Sequence, residues 1–581
     1  MDSSVASGVA VGVPDRLNEK KGSDEGISIV KGGAESAVIT SSNVDENVAF
    51  EDFLFYAAVQ RLEEDGLAPG EAGAAAEVGR KKNWFNKLSS HKGPNVNLDV
   101  SKAAVPPMTE DEEERANASR ALRLAGWASI FYLITTDILG PFNAPFAISQ
   151  VGWVPGIVLY FVMGVMALYT GLILWRLYVR LDSPRYPLKT YGDMADRIFG
   201  KTARHICTFL QSIQLLVNVA TICLSNGQAL SQISNFRLCF SVCIVIWPIV
   251  GMVIGQIRTL KNYGWLANSA VWINLLIIFT SMGFVAHSPP NLLAAKTSLG
   301  VDPTQPVMTT KFGKLPLFQQ VNGIMNMVFA YGGAMIFPEM MAEMRRPMDF
   351  WKGMTMAQLL IFVAYLLYGA FIYAFQGQFT LPLAYQGVSR HSWQNLGNVL
   401  SLITGIIAAG LYGNIGIKVV YINIVEGWFG GPRLMSSGGR IIWSVLVFFY
   451  WSLAFVVGSA IPQVQNITGL IAAIAIMQFT YSFPPVLRLG YDVITDAMAA
   501  DKPYTPGNGA AGRIDTWRDW SRWKRGLFGG RVLFKLFNLI IFLGGLAMAC
   551  LGMWGAGENI KNAFQQSGSA TSFGCKSPVQ P

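Results

Sequence analysis

From about residue 124 onward the chain alternates between long apolar runs and short polar connections, a pattern too uniform for the amphipathic faces of soluble helices. Val151 to Trp175, Ile206 to Phe236, Leu238 to Ile257, Leu315 to Pro338, Trp393 to Ile417, Ile441 to Leu487 and Leu536 to Gly557 carry no charged side chain. About 20 such residues cross a bilayer as a helix. The run Ile441 to Leu487 is twice that length and divides at Pro462 to Asn466, a link short enough to demand a helical hairpin. The pattern predicts eleven spans, at 124–148, 153–177, 205–233, 238–257, 264–286, 319–341, 354–375, 395–420, 441–461, 466–487 and 532–555.

Two of these spans interrupt themselves. The first reads LITTDILGPFNAPFAISQVGW from Leu133, with Asp137, Gly140, Pro141, Asn143 and Pro145 in its middle, where lost backbone donors find no substitute in lipid. The sixth, QQVNGIMNMVFAYGGAMIFPEMMAE from Gln319, breaks at Gly332 and Gly333 and again at Pro338 before Glu339. A shift of 193 residues lays Pro145 on Pro338 and Gly140 on Gly333 together. The stretches 124–286 and 319–488 each hold five spans, so the second enters the membrane from the opposite side. An inverted five-plus-five repeat with one additional helix is therefore expected, an all-α polytopic membrane protein with its two broken helices meeting near the bilayer midplane.

Composition agrees with this reading: 52% of residues are hydrophobic and 14% charged, against roughly a quarter charged in a soluble domain. The net charge of +9 would suit nucleic acid, but its distribution points elsewhere. All 45 Lys and Arg are assigned outside the spans, 14 in the tail before Leu124, 24 in alternate loops and seven in the opposite loops and C-terminal tail. That asymmetry places the N-terminus and basic loops in the cytoplasm and, with an odd span number, the C-terminus outside. No nucleic-acid partner is expected.

Six cysteines show no disulfide or zinc pattern: Cys207, Cys223, Cys239, Cys243 and Cys550 fall in spans, and Cys575 is alone in the tail. No apolar leader precedes the tail, so no cleaved signal peptide is expected. Residues 1–123 read as a mostly disordered cytoplasmic tail. Within it, Phe50, Phe53, Leu54, Ala57, Ala58 and Leu62 recur at helical spacing and predict a short amphipathic helix against the cytoplasmic face or the lipid surface. The run EDEEER from Glu110 reads as a solvated face. The loop 489–530 carries Trp517, Trp520 and Trp523 among Arg518, Arg522, Lys524 and Arg525, an interfacial helix in contact with the lipid bilayer; 531–555 is the last span and 556–581 a short tail. Asn117-Ala118-Ser119 and Asn466-Ile467-Thr468 match glycosylation acceptors but lie on the cytoplasmic side and against the membrane.

The chemistry of the breaks follows from their exposed backbone. Amide groups at the start of the second half of span one, near Pro141 to Pro145, favour a carboxylate. Carbonyls near Thr136 to Ile138 and Phe329 to Tyr331 favour an ammonium group. Together they describe an α-amino acid, and Asn218 and Tyr331 could touch it. Asp137 and Glu339 are the two carboxylates within spans, where an acid costs roughly 2.5 to 3.5 kcal/mol. Without a cationic partner such a group can bind and release a proton. A structural reading of Asp137 is a helix-end residue bonded to freed amides, and of Glu339 an interfacial position near the cytoplasm.

DILGPFNAPFAISQVGW, the cytoplasmic YGDMADRIFG and FAYGGAMIFPEM resemble stretches of the amino acid/auxin permease family, in particular its fungal neutral amino acid permeases. The likeness covers about residues 120–555. It implies the amino acid-polyamine-organocation superfamily fold, import of neutral L-amino acids with protons, and no other cofactor. It further implies that Thr136, Ile138, Gly140 and Asn143 on one side, and Phe329, Ala330, Tyr331, Gly332 and Gly333 on the other, contact substrate. Sodium-coupled relatives carry an Asn near Ile134 and a hydroxyl where this chain has AAGLYGNIG, so proton coupling is favoured over sodium. A monomeric carrier in the plasma membrane is expected, with the vacuolar membrane as alternative. The competing reading is an amino acid sensor signalling through its long tail. No paired His ligands or nucleophile-base spacing point to an enzyme or a metal site.

Overall fold

The computed structural model describes residues 48–64, 123, 125–138, 140–257, 263–426, 429–432, 434, 436–501, 504–506, 513–565 and 572–580; for 136–138, 141 and 263–267 the backbone path alone is described. The acidic run at Glu110, Asn117 and the start of the first span at Leu124 lie outside these residues. The described chain is helical: α1 Phe50–Glu64, α2 Trp127–Ile138, α3 Ala144–Val151, α4 Trp153–Leu181, α5 Tyr191–Phe199, α6 Lys201–Ile233, α7 Phe240–Ile254, α8 Tyr263–Ala286 and α9 Leu292–Leu299. There follow α10 Leu317–Ala330, α11 Phe337–Ala342, α12 Phe350–Gln376, α13 His391–Val420, α14 Ser437–Ala460, α15 Val464–Ile471, α16 Phe483–Ala497, α17 Trp520–Phe528 and α18 Val532–Gln565. Eight helices among the described residues are long and apolar enough to cross a membrane, and α7 is a shorter apolar helix. The remaining two spans are the broken ones, α2 with α3 and α10 with α11. The protein is an all-α, multi-pass membrane protein.

The sequence breaks become helix breaks at the same relative place. A tight turn at Pro141–Asn143 precedes α3 and another at Gly332–Ile336 precedes α11, and Pro145 and Pro338 each occupy the second position of the following half-helix. There the missing amide has no intrahelical partner to lose. The two broken spans run antiparallel, pinned to each other at both ends by main-chain bonds. On the basic face the Ala125 N–H donates to Glu343 O (3.0 Å) and the Arg345 N–H to Ala125 O (2.9 Å). On the opposite face the Gly313 N–H donates to Val151 O (2.6 Å) and the Trp153 N–H to Thr310 O (2.9 Å). Reversed direction with matched breaks is the geometry of an inverted repeat.

Helix α6 runs through the middle of the bundle, packed on α13, α7 and α14. Small residues allow these approaches, as at Gly227, which faces Ile244 of α7, and Gly458 of α14, which faces the Ala220 carbonyl, and Gly251 and Gly413 likewise face the buried Trp451 ring of α14. The cytoplasmic motif YGDMADRIFG forms α5. Thr190 caps it by accepting from the Asp193 N–H while Asp193 accepts from the Thr190 N–H, and Gly200 (φ 83°) ends it. Arg197 then donates to the carbonyls of Leu181, Tyr186 and Pro187, fixing the loop after α4.

Several expectations need correction. Cys239 and Cys575 form a disulfide across 336 residues, because α7 begins at Phe240 and leaves Cys239 at its outer end instead of inside the span. The tail around it is built in: Phe240 N–H donates to Cys575 O (3.0 Å), Ser241 Oγ to Gly574 O (2.8 Å), and Val579 is buried against Ala294, Ala295, Phe379 and Leu381. Arg176, Lys418 and Lys535, assigned to the loops although they fall within 153–177, 395–420 and 532–555, lie on the helices, so these cations belong to span ends. Lys535 is buried and satisfied by Asp496 Oδ2 (2.6 Å) and the Gly529 carbonyl (3.0 Å). Trp517 precedes α17 in a turn, where the buried Arg522 lies over its ring at 4.5 Å while Trp520 points outward. The amphipathic tail segment forms α1, docked on the basic face of the protein.

Candidate functional site

The two breaks face each other. α2 packs beside Gly332–Ile336, α3 packs beside α10, and the tenth span packs on α10 and on Gly332–Ile336 with two widened helical segments, Ala472–Ile476 and Gln478–Ser482. Widened turns of this kind release backbone groups from the regular ladder.

Thr136, Asp137 and Ile138 form the last turn of α2, whose carbonyls end at the first break; their side chains are outside the described set. The Gly140 N–H points to Tyr365 Oη on α12 at 3.4 Å. Asn143 donates from Nδ2 to Asn326 Oδ1 on α10 (3.4 Å). Asn326 is fully buried and serves four partners: it also accepts from Thr468 Oγ1 (2.8 Å) and donates to the carbonyls of Asn322 (2.8 Å) and Gln465 (3.3 Å). One amide therefore joins the first break, the sixth span and the tenth.

At the second break Ala330 ends α10, and Tyr331 continues it out of helical geometry. Its hydroxyl donates to Tyr160 O on α4 (3.1 Å), and its ring sits 6.3 Å from Tyr160 and 6.2 Å from Tyr365, which are themselves 6.2 Å apart. Gly164 is the reason this ring fits: a Cβ there would lie 3.0 Å from the Tyr331 hydroxyl. Phe329 is partly buried in the same apolar cluster and Gly333 is buried beside it. The Tyr160 hydroxyl is buried with no hydrogen-bond partner among the described residues.

Helix α6 lines the seam with amides on one face. Gln211 Nε2 donates to Met335 O (3.1 Å) and Glu339 Oε1 (2.9 Å), Gln214 Nε2 to Gly332 O (3.5 Å), and Asn218 follows one turn on. Glu339 also accepts from the Tyr191 N–H of α5 (3.4 Å), so it stands between the break and the basic face, with its carboxylate enclosed. Gln214 Oε1, Asn218 Oδ1 and Glu339 Oε2 are buried acceptors lacking a bond among the described residues. Such atoms cost about 1–3 kcal/mol each unless something donates to them. Neither 127–151 nor 317–342 contains a Lys or Arg, so no cationic side chain of the broken spans stands at the breaks.

Sequence reading missed Tyr160, Tyr365, Gln211, Gln214, Asn326 and Thr468. The amides were visible: Gln211, Gln214 and Asn218 share one face at helical spacing, as do Asn322 and Asn326. The tyrosines were not, because an aromatic residue in an apolar span carries no directional signal of its own.

Residues 124–492 match the family model described as transmembrane amino acid transporter protein. The chain is 23% identical over 414 residues to the N amino acid transport system protein of Neurospora crassa, covering 68% of this chain and 82% of that one. It is 22% identical over 459 residues to a transmembrane transporter of Gibberella moniliformis, covering 78% and 88%. Among solved structures it is similar to Mhp1, a nucleobase-cation-symport-1 family transporter in a closed conformation with bromovinylhydantoin bound. That likeness is at 13% identity and a TM-score of 0.41, over 77% of this chain and 93% of that one.

Proposed function

The chain belongs to the transmembrane amino acid transporter protein family, and from that premise we propose that it imports neutral amino acids together with protons, by alternating access around the two helix breaks. The observation that carries this reading is the pair of facing breaks, the first presenting the helix-end carbonyls at Ile138 and the amides at the start of α3, the second the helix-end carbonyls at Ala330, with no cationic side chain in either broken span. An ammonium and a carboxylate on one carbon match that arrangement, and the side chain then meets Tyr160, Tyr331 and Tyr365. An anionic side chain would find no cation there, and a cationic one would compete with the proton for Asp137 or Glu339. Asp137, at the carbonyl end of α2, carries the coupling proton in this reading, with Glu339 as the second candidate. Sodium-coupled relatives carry an Asn near Ile134 and a hydroxyl where this chain has AAGLYGNIG, and that departure favours the proton. The plasma membrane is the proposed location.

Purified protein in proteoliposomes, acidic outside, should accumulate labelled leucine or phenylalanine without sodium, and Arg or Glu should compete poorly. Asp137→Asn should retain exchange of labelled for unlabelled substrate and lose accumulation driven by the pH gradient. Accumulation by that variant with wild-type pH dependence would move the proton to Glu339. Accumulation that requires sodium would refute proton coupling altogether.

A further inference from the structure

Helix α1, far from the spans in sequence, is built into the basic face through anchors on both halves of the repeat. Phe50, Phe53, Leu54 and Phe55 are buried, and so are the acids Glu51 and Asp52 at 2% and 3% exposure. Glu51 accepts from both Nε (2.8 Å) and Nη2 of Arg513, in the loop after α16, and this bond holds the Arg513 guanidinium above its ordinary range. Asp52 accepts from the Tyr504 hydroxyl of the same loop (2.6 Å). Phe50 meets Tyr491 of α16 edge to face at 5.8 Å.

The other contacts reach the first half and the turn before α12. Phe53 packs edge to face on Tyr186 (5.4 Å) beneath the Arg197 guanidinium (4.7 Å), and Tyr56 lies under Arg185 (5.1 Å). Arg61 reaches Asp182 at the end of α4 (3.4 Å), and Arg346 donates to the carbonyl of Glu64 (3.2 Å). Asp182, with no exposed surface, also accepts from Arg123 at both oxygens (3.0 Å each) and from the Leu188 N–H (3.0 Å). Arg123 stands four residues ahead of α2. A single docked helix thus fastens α4 and its loop, the turn before α12, and α16 with its loop, while its ion partner Asp182 fastens the entry to the first broken helix.

We propose that α1 is a latch that holds the cytoplasmic entrance to the site closed, and that it must leave its seat before the site opens to the cytoplasm. The inference rests on the alternating-access reading above. Opening that face requires elements of the two halves to part, and one rigid helix of 15 residues cannot keep anchors on Arg513, Asp182 and Arg346 while they separate. Its contacts therefore favour the closed state alone, and weakening them shifts the population toward the open one.

The test uses the full chain in proteoliposomes with the cytoplasmic face outward, comparing wild type, Arg513→Glu, Glu51→Arg and the double reversal. Trypsin cleavage at Arg61 reports undocking, and efflux of preloaded labelled leucine reports transport. Neutral amino acid should raise Arg61 cleavage in wild type. Each single reversal should raise both cleavage and the initial transport rate, by roughly fivefold or more, the lower end of ordinary coupling energies, and the double reversal should restore both. A protein whose α1 is released by amino acid but which moves none of it keeps the latch and overturns the carrier reading. Single reversals that expose Arg61 while leaving the transport rate unchanged overturn the latch, as does a slowing that the double reversal does not rescue.

Discussion

Asn326→Asp tests the amide junction without changing its shape. The replacement keeps the oxygen that accepts from Thr468 (2.8 Å) and Asn143 (3.4 Å) and replaces the NH2 group that donates to the carbonyls of Asn322 (2.8 Å) and Gln465 (3.3 Å). Two effects compete. Interhelical hydrogen bonds in membranes average about 0.6 kcal/mol, so losing the bond to Gln465 alone would be a small change. Placing a carboxyl oxygen against carbonyls that the helices hold at fixed positions sets acceptor against acceptor and leaves the new oxygen buried without a donor, at about 1–3 kcal/mol. The second effect should win, because neither α10 nor α15 can turn its carbonyl toward water. We expect a loss of about 2 kcal/mol, read as a lower thermal midpoint of the detergent-solubilised protein at neutral pH. Asn326→Leu removes both roles but leaves Thr468 its bond to Val464 O (2.8 Å), and should cost no more than the isosteric acid. Acidification protonates the new carboxyl, which can then donate one bond, so the deficit of Asn326→Asp should shrink as pH falls while that of Asn326→Leu should not. An acid variant as stable as wild type at neutral pH, alongside a crippled leucine variant, would show that volume and not donor count governs this junction.

Gly251→Ala should destabilise by about 1–3 kcal/mol, since its Cβ would lie 2.3 Å from the Trp451 ring, whereas Gly283→Ala, with nothing within 4 Å, should leave the thermal midpoint unchanged. Cys575→Ser should free residues 572–580 for proteolysis from the face opposite the basic loops while the spans stay folded; tail cleavage from the basic-loop side would refute the assigned orientation.

Much of the fold could be read from the sequence because lipid leaves few alternatives. Uncharged runs had to be helices, and paired Gly and Pro positions marked where two of them stop being so. The Pro145 and Pro338 register was legible for a local reason: each occupies a helix start where its missing amide is harmless. The disulfide was illegible because hydropathy runs unbroken through Cys239, and nothing local tells a span's last residue from its first exposed one. Asp182 carried no signal as a lone acid at a span end, since its role depends on Arg61, Arg123 and the Leu188 amide arriving from elsewhere. Asn218, Gln211 and Gln214 lie on one helical face, and spacing alone does not rank them. The contacts that distinguish them, to Gly332, Met335 and Glu339, exist only after the halves pack.

The main-chain pins at the two ends of the broken spans have a consequence for how freely this protein can vary. Bonds between Ala125 and residues Glu343 and Arg345, and between Thr310 and Trp153, ask for no particular side chain, so the residues there can be exchanged without loosening the frame. The constraint concentrates instead on two positions that admit no side chain at all. At Gly152 (φ 88°) a Cβ would come within 2.8 Å of the Gly313 nitrogen, and at Gly313 within 2.7 Å of the Gln150 carbonyl oxygen, both unyielding main-chain atoms. A library randomised across these junctions should therefore return nearly any residue at most sites and glycine at these two, a heritable signature of shape written almost without letters.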